Sequence, residues 1–197
     1  MKISPRVKLV LIAAGFALPV AISLIAYFFA RPEPTANYGE LLLPPQEAPA
    51  MGFQGEGSGS WDFAQLRGRW ALVMSDSGAC AGPCLEKLTT LRQVRLALGR
   101  NASRVARVYV VDDRVQPDPG AMRPFEGTQV AIAPSAGAPA PAWATDRAHL
   151  YLVDPHGNVM MRWPAAADRK RMLKDLERLL KASQIGHNHG LANTAPC

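Results

Sequence analysis

Two cysteines with the spacing of a reactive pair stand in Ser75-Asp-Ser-Gly-Ala-Cys80-Ala-Gly-Pro-Cys84. The short apolar run Trp70-Ala-Leu-Val-Met74 before them reads as a buried strand, and a helix is expected from Cys84 to Leu98. A helix N-terminus presents unpaired N–H groups and the positive end of the helix dipole, and both favour thiolate. Thiolate is the form that attacks disulfides and binds soft metals. Cysteines spanning the first helical turn can close a disulfide, or give two sulfur donors to one Cu(I). Gly78, Ala79, Ala81 and Gly82 leave the sulfurs accessible. A structural disulfide is the rival reading, but so short a loop constrains the unfolded chain little. The third cysteine, Cys197, is the last residue and reads as an incidental thiol.

The elements that must position this pair alternate in type. After the first strand and helix, Val105-Ala-Arg-Val-Tyr-Val-Val111 reads as a second buried strand ending at Asp112-Asp113. Residues 114–145 are rich in Pro, Ala and Gly and read as a long insertion with one short helix. Leu150-Tyr-Leu-Val153 and Val159-Met-Met-Arg-Trp163 form a hairpin about the turn Asp154-Pro-His-Gly157. From Asp168 to Ser183, Met172, Leu173, Leu176, Leu179 and Leu180 recur on one helical face. The order β-α-β-(insert)-β-β-α predicts an α/β fold, a thioredoxin-like domain with a mixed sheet, over residues 61–185.

Upstream, no charge interrupts the run from Leu9 to Ala30. At about 1.5 Å per residue it is long enough for a hydrocarbon core of about 30 Å, and Pro19 need not stop it. A signal peptide has a shorter apolar core and a small-residue cleavage site, where this chain has Phe28. An uncleaved transmembrane helix at 9–30 is therefore expected. Lys2, Arg6 and Lys8 precede it, so residues 1–8 are placed in the cytoplasm and the remainder outside, with Tyr27, Phe28 and Phe29 at the outer interface. Residues 31–60, rich in Pro and Gly, read as a linker in which only Tyr38-Gly-Glu-Leu-Leu-Leu43 is apolar enough to dock. Residues 186–197 read as a flexible tail.

Composition excludes more than it selects. The formal net charge of +6 comes from 22 basic and 16 acidic residues without a basic stripe, so nucleic acid is not an expected partner. No nucleophile elbow, phosphate loop or double CxxC is present, which leaves hydrolase, kinase and zinc-finger readings without support.

Arg67-Gly-Arg-Trp70, the Cys80-x-x-x-Cys84 unit, Val110-Val-Asp-Asp113 and Leu150-Tyr-Leu-Val-Asp-Pro-His-Gly157, together with the anchor, resemble the Sco/SenC proteins over about residues 60–185. The resemblance implies a thioredoxin fold in a bacterial inner-membrane protein with a periplasmic domain. It also implies a role in cytochrome c oxidase assembly, by copper delivery to the binuclear copper centre, by reduction of its cysteines, or by both. An oxidase subunit or another exported thiol protein is the partner it implies.

Cys80 and Cys84 match the family's sulfur ligands. The third ligand, a His a few residues before the Tyr-Leu of the penultimate strand, has no counterpart: Asp146 stands there and Arg147 follows. The nearest histidine, His149, is shifted by three positions, and strand alternation turns it to the opposite face unless a bulge intervenes. The departure weakens copper binding and leaves dithiol chemistry intact.

Of the remaining candidates, His156 reads as solvated in its turn, and His187 with His189 as part of the tail. Asp112 and Asp113 are either solvated or close enough to influence the thiols. Three functions follow in order: a dithiol oxidoreductase with Cys80 attacking and Cys84 resolving, a Cu(I) chaperone using Cys80, Cys84 and a third donor such as His149, and a non-catalytic adaptor for an oxidase subunit.

Overall fold

A computed structural model describes residues 4–29, 37–48, 52–55, 59–113, 115–133 and 141–183. The chain divides into two units, residues 1–36 and 37–197. The described part of the first is one helix, α1 (Pro5–Phe29), which runs through Pro19. The span from Pro5 to Ile25 is apolar and long enough to cross a membrane, the property shared by an anchor and a signal sequence. The helix begins earlier than the expected 9–30, because Pro5 suits a first helical position and Arg6 and Lys8 favour helix.

In the second unit the described elements follow in the order β1 (Glu40–Glu47), β2 (Phe53–Gln54), β3 (Ser60–Trp61), β4 (Trp70–Asp76), α2 (Pro83–Ala97), β5 (Val105–Val111), α3 (Pro119–Met122), β6 (Thr128–Ile132), β7 (His149–Val153), β8 (Asn158–Pro164) and α4 (Arg169–Ala182). The strands form one mixed sheet in the order β1-β8-β7-β4-β5-β6-β2-β3. β4 runs parallel to β5, and β5 to β6, while β7 and β8 return antiparallel. This is the expected mixed α/β thioredoxin-like domain. β4 and β5 are its middle, and nearly every residue in them is buried, as their mostly apolar character demands; the polar Ser75 and Arg107 are buried too.

The sheet buries both faces by different means. On one, α2 and α4 pack Leu88, Leu91, Met172 and Leu176 over Leu72, Met74, Tyr109 and Leu152. α4 starts at Asp168, whose carboxylate accepts from the N–H groups of Lys170 and Arg171 at 2.8 and 3.1 Å. On the other face, among the described residues, no α-helix covers Val73, Val108 and Tyr151, and only short 3-10 turns at Phe63–Leu66 and Ala142–Ala144 pack there. Phe53, Trp61, Phe63 and Trp143 seal it with edge-to-face ring contacts, the shortest being Trp61–Phe63 at 4.8 Å between centroids.

Two expectations need correction. Residues 31–60 are not linker throughout: Glu40–Glu47 pairs with β8 as an edge strand, and Phe53 belongs to the second core. Proline is tolerated at an edge, and the β1–β8 register is broken between Leu41 and Gln46, around Pro44 and Pro45. The segment is fixed by Asp175, 2% exposed in α4, whose carboxylate accepts from the N–H groups of Tyr38 and Gly39 at 3.0 and 2.8 Å and from Trp163 Nε1 at 3.0 Å. Gly39 is required there, because a Cβ would lie 2.5 Å from Trp163 Nε1.

Residues 114–145, in turn, are not merely an insertion with a helix. They hold α3 and also β6, which extends the parallel part of the sheet against β5. A five-residue strand within a Pro-, Ala- and Gly-rich stretch gives too short a pattern to stand out.

Candidate functional site

The C-terminal ends of β4 and β5 and the N-terminus of α2 meet at one edge of the sheet, where open α/β folds place their ligand crevices. Pro83 opens α2 with Gly82 as its cap residue, so Cys84 lies in the first turn and Cys80 in the loop before it. The two are joined as a disulfide, with Cα atoms 5.3 Å apart. Cys84 is 3% exposed and packs into the helix-covered core, whereas Cys80 is half-buried at its rim. The exposed neighbours Ala79, Ala81, Gly82 and Pro83 leave the Cys80 side open to a partner.

The loop carrying Cys80 is held from below. Asp113 accepts from the N–H groups of Gly78 at 2.9 Å and Val115 at 3.1 Å. The Gly78 N–H chiefly holds the Asp113 carboxyl below the usual carboxylate range. Only glycine fits at position 78, since an added Cβ would sit 1.7 Å from the Val115 carbonyl oxygen. Asp76 accepts from the Ser77 N–H at 2.8 Å. A buried lysine, Lys87, one turn beyond Cys84, points to the same edge. Its ammonium lies 2.7 Å from Asp76 and donates to the carbonyls of Ser75 at 2.7 Å and Arg147 at 3.0 Å. Three acceptors thus match its three N–H groups.

Arg147 completes the cluster. Its guanidinium grips Asp112 through two hydrogen bonds of 2.8 and 2.5 Å and lies 3.9 Å from both Asp76 and Asp113. The bond to Asp112 raises its already high pKa further. Ser75 Oγ donates to Asp112 at 3.4 Å. Tyr109, fully buried on β5 opposite Met74, donates its hydroxyl proton to the Ser77 carbonyl, and Cys84 Sγ lies 3.8 Å from the same hydroxyl. Burial, and then Asp76, Asp113 and Asp112, push the phenol far above its ordinary range, so Tyr109 remains a neutral donor and acceptor.

The other sequence candidates separate from this cluster. Leu150 and Leu152 share the core with Cys84, while Tyr151 and Val153 belong to the opposite core. His149 shares the alternation of Tyr151 and so faces away from the sulfurs. Its Nδ1 lies 2.6 Å from Asp146, which also accepts from the Tyr151 hydroxyl at 2.6 Å. Burial, then the bond to Asp146, push the Tyr151 phenol up to about 12. Among the described residues, no group of three His, Cys, Asp or Glu side chains is placed to hold a metal ion. His156 is exposed in its turn. His187, His189 and Cys197 lie outside the described residues, as do Lys2, Arg31 and Glu33.

Sequence reasoning missed Lys87, Asp76 and Tyr109. A signal for Lys87 was present: Cys84, Leu88 and Leu91 share one helical face, and Lys87 stands on that face as a charge at a core position. Leu85, off that face, is only half-buried.

Three solved structures share this architecture. Apo Sco1 from Thermus thermophilus is 19% identical, covers 73% of this chain and 97% of its own, and superposes with a TM-score of 0.56. Copper-bound yeast Sco1 is 15% identical, with coverages of 68% and 95% and a TM-score of 0.54. The thioredoxin domain of a thiol-disulfide oxidoreductase from Bacteroides vulgatus is 17% identical, with coverages of 70% and 98% and a TM-score of 0.51. At these identities the likeness is one of fold, and it extends equally to Sco proteins and to oxidoreductases. No curated protein matches the sequence. The family model described as "Transmembrane-like, thioredoxin-like, C-terminal domain" matches residues 70–183, from the first residue of β4 to the cap of α4. With more than half of its length matched, the chain belongs to this transmembrane-like, thioredoxin-like C-terminal domain family.

Proposed function

We propose that the protein is a membrane-anchored thiol-disulfide oxidoreductase, with its domain in the periplasm and Cys80 and Cys84 as the reacting pair. The observation that carries the reading is the Cys80–Cys84 disulfide at a strand-to-helix junction, with Cys84 buried and Cys80 half-buried at the rim. In the reducing direction the Cys80 thiolate attacks a partner disulfide. One partner sulfur bonds to Cys80 and the other leaves as thiolate. Cys84 then loses its proton and attacks the Cys80 sulfur, closing the Cys80–Cys84 disulfide. The second partner sulfur is released and takes up a proton. Two electrons pass from the pair to the partner. The basic residues on the N-terminal side of α1 support an orientation with the domain outside the cytoplasm.

The Sco-like frame supports a biogenesis role, in which the partner is a cytochrome c oxidase subunit whose cysteines must be reduced before they take up copper. Copper is then the partner's metal. Among the described residues no third donor completes a copper site with Cys80 and Cys84, because His149 faces the opposite side of the sheet and is engaged by Asp146.

The test is complementation of a deletion strain with wild type, with Cys80→Ser and Cys84→Ser, and with His149→Ala. The reading expects loss of oxidase activity with either cysteine variant and wild-type activity with His149→Ala. Full activity with both cysteines replaced would leave only the adaptor role.

A further inference from the structure

Cys84 and Tyr109 meet in the interior, and their hydrogen-bond directions are constrained. The Ser77 carbonyl can only accept, so the single Tyr109 hydroxyl proton goes to it. The side of the phenol oxygen that faces Cys84 Sγ, 3.8 Å away, is therefore a lone pair. When the disulfide opens, a protonated Cys84 satisfies that lone pair, and the three groups form one directed chain, Cys84 S–H to Tyr109 O–H to Ser77 C=O. An ionised Cys84 would face the lone pair directly, or would draw the Tyr109 proton away from the Ser77 carbonyl and leave that carbonyl without its donor. Cys80, half-exposed in the loop, carries no such constraint.

Resting on the oxidoreductase reading, we infer that Tyr109 is a positioning residue that keeps Cys84 as a thiol while Cys80 carries the thiolate. The direction of attack is thereby fixed: Cys80 opens the exchange, and Cys84 gives up its proton only when it closes on the Cys80 sulfur of the mixed disulfide. Other charged groups also act here. Asp76 from β4, Asp112 and Asp113 from the end of β5, and Arg147 from before β7 surround the phenol, and Lys87 of α2 neutralises Asp76. The three carboxylates work in the same sense as Tyr109, while Arg147, Lys87 and the α2 dipole work against it. Tyr109 is distinguished from all of them by its contact with Cys84 Sγ.

The experiment is a pH titration of the reduced, detergent-solubilised full-length chain labelled with 13C at cysteine Cβ and tyrosine Cζ. In wild type, Cys84 is expected to titrate at least about one pH unit above Cys80, and the Tyr109 signal to move with Cys84. In Tyr109→Phe the Cys84 midpoint is expected to fall toward that of Cys80, while Cys80 stays in place. A Cys84 midpoint at or below that of Cys80 in wild type, or an unmoved Cys84 in Tyr109→Phe, overturns the inference. If the variant does not fold, the wild-type Tyr109 signal decides, and its indifference to the Cys84 titration is the overturning result. Equilibration with glutathione, run in parallel, tests the exchange reaction separately. A pair that exchanges without the expected order of titration sinks only the tyrosine role, and the expected order without exchange sinks only the oxidoreductase.

Discussion

Two polar clusters hold this domain together, one buried and one open at the surface, and only the second borders reactive atoms. Around Asp175, one carboxylate collects three neutral donors, the N–H groups of Tyr38 and Gly39 and the indole of Trp163. The cluster is sealed, and it clamps β1 to α4. At the other cluster Lys87 joins Asp76, and Arg147 joins Asp112, with Asp113 and Tyr109 beside them. It borders a disulfide whose outer cysteine is half-buried at the rim. A carboxylate saturated by backbone and indole donors is a structural anchor. Opposed charges, an acceptor aimed at a sulfur and an opening to solvent together make a site whose protonation can follow chemistry.

The two clusters are expected to respond differently to mutation. The largest effect is expected for Lys87→Met, which takes the buried ammonium away from Asp76 and from two carbonyls. Loss of one partner of a buried pair costs about 3–5 kcal/mol, read as a shift in the urea midpoint of the full-length protein, and the Cys80–Cys84 potential should move as well. Next comes Asp175→Asn, expected to cost about 1.5–3 kcal/mol through its charged hydrogen bonds, with the dithiol potential unchanged. A shift of that potential by Asp175→Asn would dissolve the distinction between anchor and site.

The smallest effect concerns acid pH. Because the Asp113 carboxyl is held below its ordinary value, mainly by the Gly78 N–H, its contribution is complete above the unfolded carboxylate range. That contribution fades as pH falls through the lower folded value. The disulfide should therefore become more quickly reducible by a phosphine between pH 5 and 2, since protonation loosens Gly78 and Val115. In Asp113→Asn this rise should flatten.

The reactive half of this comparison was more legible in sequence than the structural half. The strand–loop–helix around Cys80 and Cys84 showed itself through an apolar run and small residues, β5 through a second apolar run, the β7–β8 hairpin through its turn, and α4 through its helical period. β1 was half legible: Tyr38–Leu43 stood out as apolar enough to dock, but an edge strand with two prolines has no period that marks it as a strand. β2 and β3 are two residues each, below the length at which alternation is visible. Asp175 gave no local signal, because two of its three donors come from residues 38 and 39, more than 130 positions away. The misfit of His149 could be anticipated from strand alternation alone, whereas Tyr109 needed the third dimension, since nothing local links it to Cys84.

The central claim is tested most directly by equilibrating the full-length protein in glutathione buffers of graded potential and counting free thiols at Cys80 and Cys84 by mass spectrometry. The account predicts one reversible two-electron transition of the folded protein, with a tenfold change in ratio for about 30 mV, abolished by Cys80→Ser. A pair that stays bonded in strong reductant until the domain unfolds, or one that never closes in oxidant, would contradict it.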